Sequence, residues 1–312
     1  MVILLKKNYS LRNIALALKR SVCAISYEIK TNSVNGEYDS RKAQHKSYAR
    51  RKNVSYRGKK IVGNNKLREF VDGALSDGQS AEAIAGRIKY REKYLPYASK
   101  DTIYRYLKSP YGQLIGIKWK KKIRPKKSRK AAKLEDRVFI DKRPKIIGKR
   151  TRVGDLEADF IVSGRGGKGV LLVAICRGLR VVFLELILDV SVDEVHSAFG
   201  RIKKKFPEMR TLTLDNDILF RMHKALEKLL NVKIYFCHPY HSWEKGGVEN
   251  VNMEVRKFIP KGSDLSEYDK EFIHAVEEHL NGRFMKCLKF ATPEEKLNEF
   301  RKTKKTAREA AE

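Results

Sequence analysis

Apolar positions in the first thirty residues recur at helical spacing. They predict helices over 11–18 and 22–30, with Ile14, Ala15 and Leu18 facing inward on the first and Ile25 and Ile29 on the second. Ser10 and Ser21 stand at the N-cap positions, and Lys19-Arg20 makes the turn. Two short capped helices this close form a helix-turn-helix, whose second helix enters a major groove. Arg20, Ala24, Ser26, Tyr27 and Lys30 are its candidate contacts. Little chain precedes Ser10 to supply a supporting helix. Residues 31–65 carry no apolar stripe and read as a basic linker or a helix lying along phosphates. A second helical set follows at 67–75, at 81–89 capped by Ser80, and at 101–107 capped by Ser99, with Ile103, Tyr104 and Leu107 inward. From about residue 152 the period changes. Strand-like runs at 156–162, 170–176 and 181–188 are joined by short Gly/Arg turns and predict three antiparallel strands. Helix 192–205, strand 211–214, helix 220–230 and strand 233–237 come next. Further helices are expected at 248–257, 267–280 and 293–301, with frayed final residues.

Charge sharpens this outline. The 312 residues carry 68 Lys and Arg against 37 Asp and Glu, a net charge of +31 that points to a polyanionic partner, nucleic acid first. An anionic membrane is the weaker choice, since no stretch nears the roughly 18 apolar residues of a spanning helix. The N-terminal apolar run is too short for a secretory signal. Residues 118–133 hold ten Lys and Arg and no acid. They read as a flexible arm touching phosphates through Lys120, Lys121, Lys126 and Lys127. The four cysteines, Cys23, Cys176, Cys237 and Cys287, form no Cys-x-x-Cys and read as isolated buried thiols of a reducing cytosol. The expected division is a helix-turn-helix domain (1–35), basic linker (36–65), second DNA-binding helical unit (66–110), basic arm (111–150), catalytic core (151–302) and tail (303–312).

Candidate chemistry gathers on three acids. Asp159 lies within the first strand-like run and Asp215 ends the fourth. Glu249 follows Trp243, Gly246 and Gly247 on a helix stopped by Pro260. Glu249, Met253 and Arg256 share a face at i, i+4, i+7. Metal-dependent phosphodiester chemistry needs two or three carboxylates converging from distant segments, and two strands with a following helix can deliver them. His238 and His241 beside Cys237 read as substrate-positioning or packing residues rather than a metal site. The run GRGGKG at 164–169 lacks the GK[ST] ending and reads as a hairpin turn, not a phosphate loop.

Taken in order, these pieces resemble the DDE transposases of the insertion-sequence family numbered thirty, over nearly the whole length. The resemblance rests on SLRNIALALKRSVCAISYEIK (10–30), SAEAIAGRIK (80–89), DTIYRYL (101–107), DKRPK (141–145), GDLEADFIV (154–162), TLDN (213–216) and YFCHPYHSWEKGGVENVNMEVRKFIPKGSDL (235–265). The thirty-three residues between Asp215 and Glu249 fit as well. The chain departs from the pattern at Leu156, Asp217, Leu219 and Phe284, and part of the first helix is missing. The element order βββαβαβα is that of the ribonuclease-H-like fold. The expected architecture is therefore multidomain: all-α helix-turn-helix units, then an α/β ribonuclease-H-like catalytic domain with a mixed five-stranded sheet flanked by helices. The resemblance implies that Asp159, Asp215 and Glu249 are catalytic and hold two Mg²⁺ ions, with Mn²⁺ as a substitute. It implies that Arg256, Lys257, Asn250 and Trp243 position DNA. The expected partners are double-stranded DNA, as terminal inverted repeats and target, and further copies of the chain in a homo-oligomer on DNA. Two rival functions use the same residues. A non-catalytic DNA-binding derivative is disfavoured by the intact acids, and a ribonuclease-H-like nuclease by the tandem helical units.

Overall fold

Serine hydroxyls start four of the helices where the sequence places them. In the computed structural model, which describes residues 1–54, 59–115, 137–239 and 241–309, Ser10 Oγ accepts the Asn13 N–H at 3.3 Å and Ser21 Oγ that of Ala24 at 3.2 Å. Ser80 and Ser99 do the same for Ala83 and Thr102 at 3.2 and 3.3 Å. Each such cap is worth about 1 kcal/mol of helix stability. Residues 116–136 of the basic arm, with Lys120, Lys121, Lys126 and Lys127, lie outside the described residues, as does the side chain of Trp243.

The first helices are α1 (Val2–Lys6), α2 (Leu11–Ala17) and α3 (Val22–Asn32). Ile14, Ala15 and Ile25 form their small core, with Leu4, Leu5 and Ile29 packed against it. So α1 supplies apolar support ahead of Ser10, where the sequence left little room for it. Leu18, expected inside, is 39% exposed. The helix stops at Ala17 and Lys19 turns left-handed (φ +50°), so Leu18 falls off the buried stripe. Residues read as linker or helix form α4 (Ser40–Val54), tied to the end of α3 by Lys46 Nζ on the Ser33 carbonyl at 2.8 Å and by Arg50 on Asn32.

The second set comprises α5 (Lys59–Val62), α6 (Asn65–Ser76), α7 (Ala81–Tyr90), α8 (Lys100–Leu107) and α9 (Pro110–Gln113). Ile61, Leu67, Val71, Ile84, Ile88, Ile103 and Tyr106 are its buried centre. Tyr104, expected inward, is 41% exposed, and Tyr106 is buried instead. Residues 103, 106 and 107 make the narrower helical stripe. Asp72 accepts the Tyr106 hydroxyl at 2.7 Å, which removes the cost of burying it.

After the short α10 (Lys145–Gly148) come β1 (Asp155–Val162), β2 (Val170–Cys176) and β3 (Val182–Ile187). Then follow α11 (Val192–Lys205), β4 (Thr211–Leu214), α12 (His223–Leu230), β5 (Lys233–Phe236), α13 (Gly246–Val255), α14 (Lys270–Asn281) and α15 (Pro293–Glu309). The strands form one mixed sheet in the order β3-β2-β1-β4-β5. β1, β2 and β3 pair antiparallel, while β4 runs parallel to both β1 and β5. These are the order and directions expected of a ribonuclease-H-like sheet. Alternation along the strands divides the core. Leu156, Leu172, Phe183 and Leu212 pack under α11 and α12, while Ile161, Val173 and Leu184 pack under α13 and α14. The 164–169 run is a hairpin turn, with Gly166 and Gly169 at positive φ. The final helix runs well past residue 301, to Glu309, so the residues read as frayed or as tail are largely helical.

The second helical set docks on the start of α15 and on the chain that leads into it from α14. Arg87 makes two 2.6 Å bonds to Glu295 and covers the Phe284 ring at 4.9 Å. Phe70 stacks on Phe284, and Gln79 exchanges hydrogen bonds with Gly282 and Phe284 at 3.1 Å. Phe284, one of the departures from the family pattern, is thus an anchor between the two parts. Cys176 and Cys237 are buried, but Cys23 and Cys287 are exposed, against the expectation of four buried thiols. Among the described residues no helix is long and apolar enough to cross a membrane.

Candidate active site

Strand alternation puts Asp155, Glu157 and Asp159 on the sheet face that α13 covers. Their partners separate their roles. Asp155 is buried and held by Arg152 at 2.5 and 3.0 Å and by the Thr211 hydroxyl at 2.7 Å, a structural knot between β1 and β4. Glu157, also buried, pairs with Arg177 and accepts the Val248 N–H at 3.2 Å. That carboxylate meets the start of α13, where unpaired N–H groups and the helix dipole favour negative charge. Gly247 permits the approach, since a Cβ there would collide with Glu157 Oε2. The helix consequently begins at Gly246, two residues earlier than the apolar pattern suggested.

Asp159 is the acid that stays partly open. It sits in the middle of β1, just beyond the stretch paired with β4, and Asp215 follows the end of that parallel neighbour. A single ammonium joins them: Lys245 Nζ lies 3.0 Å from Asp159 Oδ1 and 2.8 Å from Asp215 Oδ2. Lys245 is only 8% exposed. Burial pulls its ammonium down, but the two carboxylates outweigh that and hold it above the ordinary lysine value. Burial pushes Asp159 up, Lys245 opposes the rise and the Asp215 charge adds to it. The other Asp159 oxygen accepts Asn252 Nδ2 at 2.9 Å, and Asp215 Oδ1 accepts the Asp217 N–H at 3.2 Å. Burial also raises Asp217.

Lys245, Glu249 and Asn252 follow i, i+4, i+7, so Glu249 lies on the α13 face between the two residues that touch Asp159. Glu249 is half-buried and, among the described residues, makes no hydrogen bond or ion pair. The ligand oxygens of Asp159, Asp215 and Glu249 do not all approach within 4.8 Å of one another. The structure therefore brings the two aspartates together and leaves the glutamate on the facing helix. Hard carboxylate donors around an enclosed positive charge are the chemistry of a divalent, oxygen-preferring cation, with the Lys245 ammonium standing in its place. Asn252 Oδ1, buried and without a partner among the described residues, is a further oxygen donor beside Asp159.

The remaining predicted residues spread out from this centre. Arg256 caps α13 and turns onto the Pro260 and Val162 carbonyls at 3.1 and 3.5 Å, and burial lowers its pKa. Met253, on the same stripe, is 63% exposed. Lys257 is exposed and paired with Glu254 at 2.5 Å. Asn250 faces away from the aspartates, into a 310 Å³ pocket shared with Arg150, Arg180 and Arg283. Arg20, Ser26, Tyr27 and Lys30 are all exposed around α3. Lys245, Asn252 and Glu157 are absent from the sequence prediction. The i−4 and i+3 offsets of the first two from Glu249 were the available signal, on the stripe where Met253 and Arg256 were chosen.

An α/β sheet of this order, with an acidic pair bridging two adjacent parallel strands, fits the architecture of a polynucleotidyl transferase. Sequence comparison narrows the class. The chain is similar to the transposase for insertion sequence element IS4351 of Bacteroides fragilis, 34% identical over 302 residues, spanning 93% of this chain and 90% of that protein. The IS1086 transposase of Cupriavidus metallidurans is 29% identical over 92% of this chain and 88% of its own length. Transposase InsI of element IS30C from Escherichia coli is 28% identical over 93% of this chain and 79% of its own. The chain belongs to the insertion-sequence transposases, the group that includes those of IS30, and is a DDE-type polynucleotidyl transferase. No family model matches. Among solved structures, the catalytic core domain of BIV integrase in crystal form I superimposes with a TM-score of 0.39 at 17% identity, over 48% of this chain and 97% of that one.

Proposed function

We propose that this transposase recognises the terminal inverted repeats of its own insertion sequence and cuts and joins their strands at a site built from Asp159, Asp215 and Glu249. The observation that carries the reading is the Asp159–Lys245–Asp215 bridge, two carboxylates already gathered around one positive charge. Two Mg²⁺ ions, or Mn²⁺ in their place, would be held by these acids and would supply activation of the attacking oxygen and stabilisation of the leaving one. Asn252 orients Asp159 through its amide. Glu157 holds the start of α13 and so sets the position of Glu249. Arg256, Lys257, Asn250 and Trp243 position the strand, and the arm with Lys120, Lys121, Lys126 and Lys127 contacts phosphates.

Helices α2 and α3 are read as a helix-turn-helix with Arg20, Ser26, Tyr27 and Lys30 toward the bases, and α6–α8 as a second DNA-binding unit. Their serine caps and the exposed basic residues Arg12, Arg20 and Lys30 around α2 and α3 support this. Assembly as a homo-oligomer on paired ends belongs to the same reading. Incubating the full chain with pre-cleaved element ends, target plasmid and Mg²⁺ tests it. Covalent joining of the ends to the target is expected, and random-sequence ends should join far less. Equal joining of both would remove the claim of repeat recognition.

A further inference from the structure

The loop after β5 gathers a second set of donors, separate from the aspartate pair. His238 Nδ1 lies 2.9 Å and His241 Nδ1 3.3 Å from Glu244 Oε1, and one donor atom from each residue falls within 4.8 Å of the others. Glu244 Oε2 accepts the His238 backbone N–H at 2.8 Å, which fixes the carboxylate. On the far side of the ring, His238 Nε2 lies 2.8 Å from Asp141 Oδ2, and the ring stacks on Phe139 at 5.2 Å. The segment carrying Phe139 and Asp141 is held there by a bridge between Phe139 and Phe236.

We propose that His238 Nδ1, His241 Nδ1 and Glu244 Oε1 form a binding site for a zinc-class transition-metal ion. Zinc takes nitrogen and oxygen ligands at about 2.0–2.2 Å, which sets tetrahedral edges of about 3.3 Å. The two edges at Glu244 measure 2.9 and 3.3 Å, so the donors need to spread by only a few tenths of an ångström. Two imidazoles and one carboxylate suit zinc and its neighbours over Mg²⁺, which prefers oxygen alone. A carboxylate on the outer ring nitrogen is the usual partner of a metal-bound histidine. It keeps the proton on that nitrogen and frees the other for the metal, as Asp141 does here. The His241 side chain is 43% exposed, which leaves a way in and room for a water as fourth ligand. Cys237 is buried and is not among the donors that gather within 4.8 Å of one another.

Without the ion the same atoms are joined by protons, with His238 between two carboxylates and held above the ordinary histidine value, chiefly by its bond to Glu244. Loading a metal exchanges those protons for one divalent charge. Because Lys245 follows Glu244 directly, and Glu249 lies one turn on, an ion here pins the loop that presents both to the aspartates. The site is thus a clip for the loop rather than a second reaction centre.

The test is Zn²⁺ titration of the metal-stripped full chain by calorimetry, in Mg²⁺ excess that saturates oxygen-rich sites. One Zn²⁺ per chain is expected, also in the Asp159→Asn/Asp215→Asn double variant. His241→Ala should abolish it, with circular dichroism reporting an intact fold. Asp141→Asn, at a side chain 73% exposed, should weaken it by about 10–100-fold. Affinity should fall from pH 7.5 to 6, since the ion must displace ring protons. No Zn²⁺ uptake, or uptake lost with the aspartates and kept in His241→Ala, overturns the proposal.

Discussion

The Lys245 ammonium lies 2.8 Å from the Asp215 carboxylate, and the same nitrogen reaches Asp159 at 3.0 Å. A buried cation between two acids holds the site together before any metal arrives, and it competes with one. Lys245→Met should leave the two carboxylates facing each other. In EDTA this should cost roughly 1–3 kcal/mol, less than the loss at a fully buried pair because Asp215 stays partly exposed. Mn²⁺ should bind the variant about tenfold more tightly, equivalent to about 1.4 kcal/mol. Melting curves with and without Mn²⁺ check both. Identical curves for wild type and variant in EDTA would remove the role of Lys245 as internal counter-ion.

Gly247 and Gly246 make a matched pair. A methyl group on Gly247 meets Glu157 Oε2, whereas one on Gly246 meets nothing within 4 Å. Gly247→Ala should shift the start of α13, cost about 1–3 kcal/mol and lower strand joining through displaced Glu249. Gly246→Ala should be neutral or slightly stabilising, as alanine is in a helix. Thermal melts and joining assays on the two variants are the measurement, and equal behaviour would show that the Glu157 contact does not position the helix.

Arg87 and Glu295 tie the second helical set to the first turn of α15. Arg87→Glu and Glu295→Arg should each loosen the docking and expose the 59–115 segment to limited proteolysis. The double exchange should recover much of the protection, because it restores the ion pair with reversed polarity. A double variant as labile as either single one would mean that the ion pair contributes nothing specific.

The exposed side chains of α3 are predicted to carry sequence discrimination. Replacing Ser26, Tyr27 and Lys30 with alanine should cut the preference for element ends over random duplex, each lost base contact being worth about 1–3 kcal/mol. Non-specific affinity should fall far less, as the remaining positive charge still meets phosphates. Competition binding at fixed salt gives the ratio; an unchanged ratio would move recognition to α6–α8.

Much of the fold was legible in the sequence because local rules govern it. Serine caps and strand alternation place their elements within a residue or two, and β2 and α11 match their expected bounds. The misreadings have non-local causes. Tyr106 is buried because Asp72, thirty-four residues away, receives its hydroxyl. Phe284 matters because Phe70 and Arg87 meet it from another part of the chain. Lys245 could not be linked to Asp159 from spacing alone, since eighty-six residues separate them and only the sheet brings them together. The three predicted acids were found by type and order. Their geometry, two joined and one on the facing helix, was not legible, because it depends on how α13 lies across β1.

Strand joining by Asp159→Asn, Asp215→Asn and Glu249→Gln, compared with wild type on the same pre-cleaved ends in Mg²⁺, is the most direct measurement. Each variant is predicted to bind the ends nearly as wild type does and to join them at least about a thousandfold more slowly, a barrier change of about 4 kcal/mol. Wild-type joining by Glu249→Gln would contradict the three-acid site, and wild-type joining by either aspartate variant would contradict it at its centre.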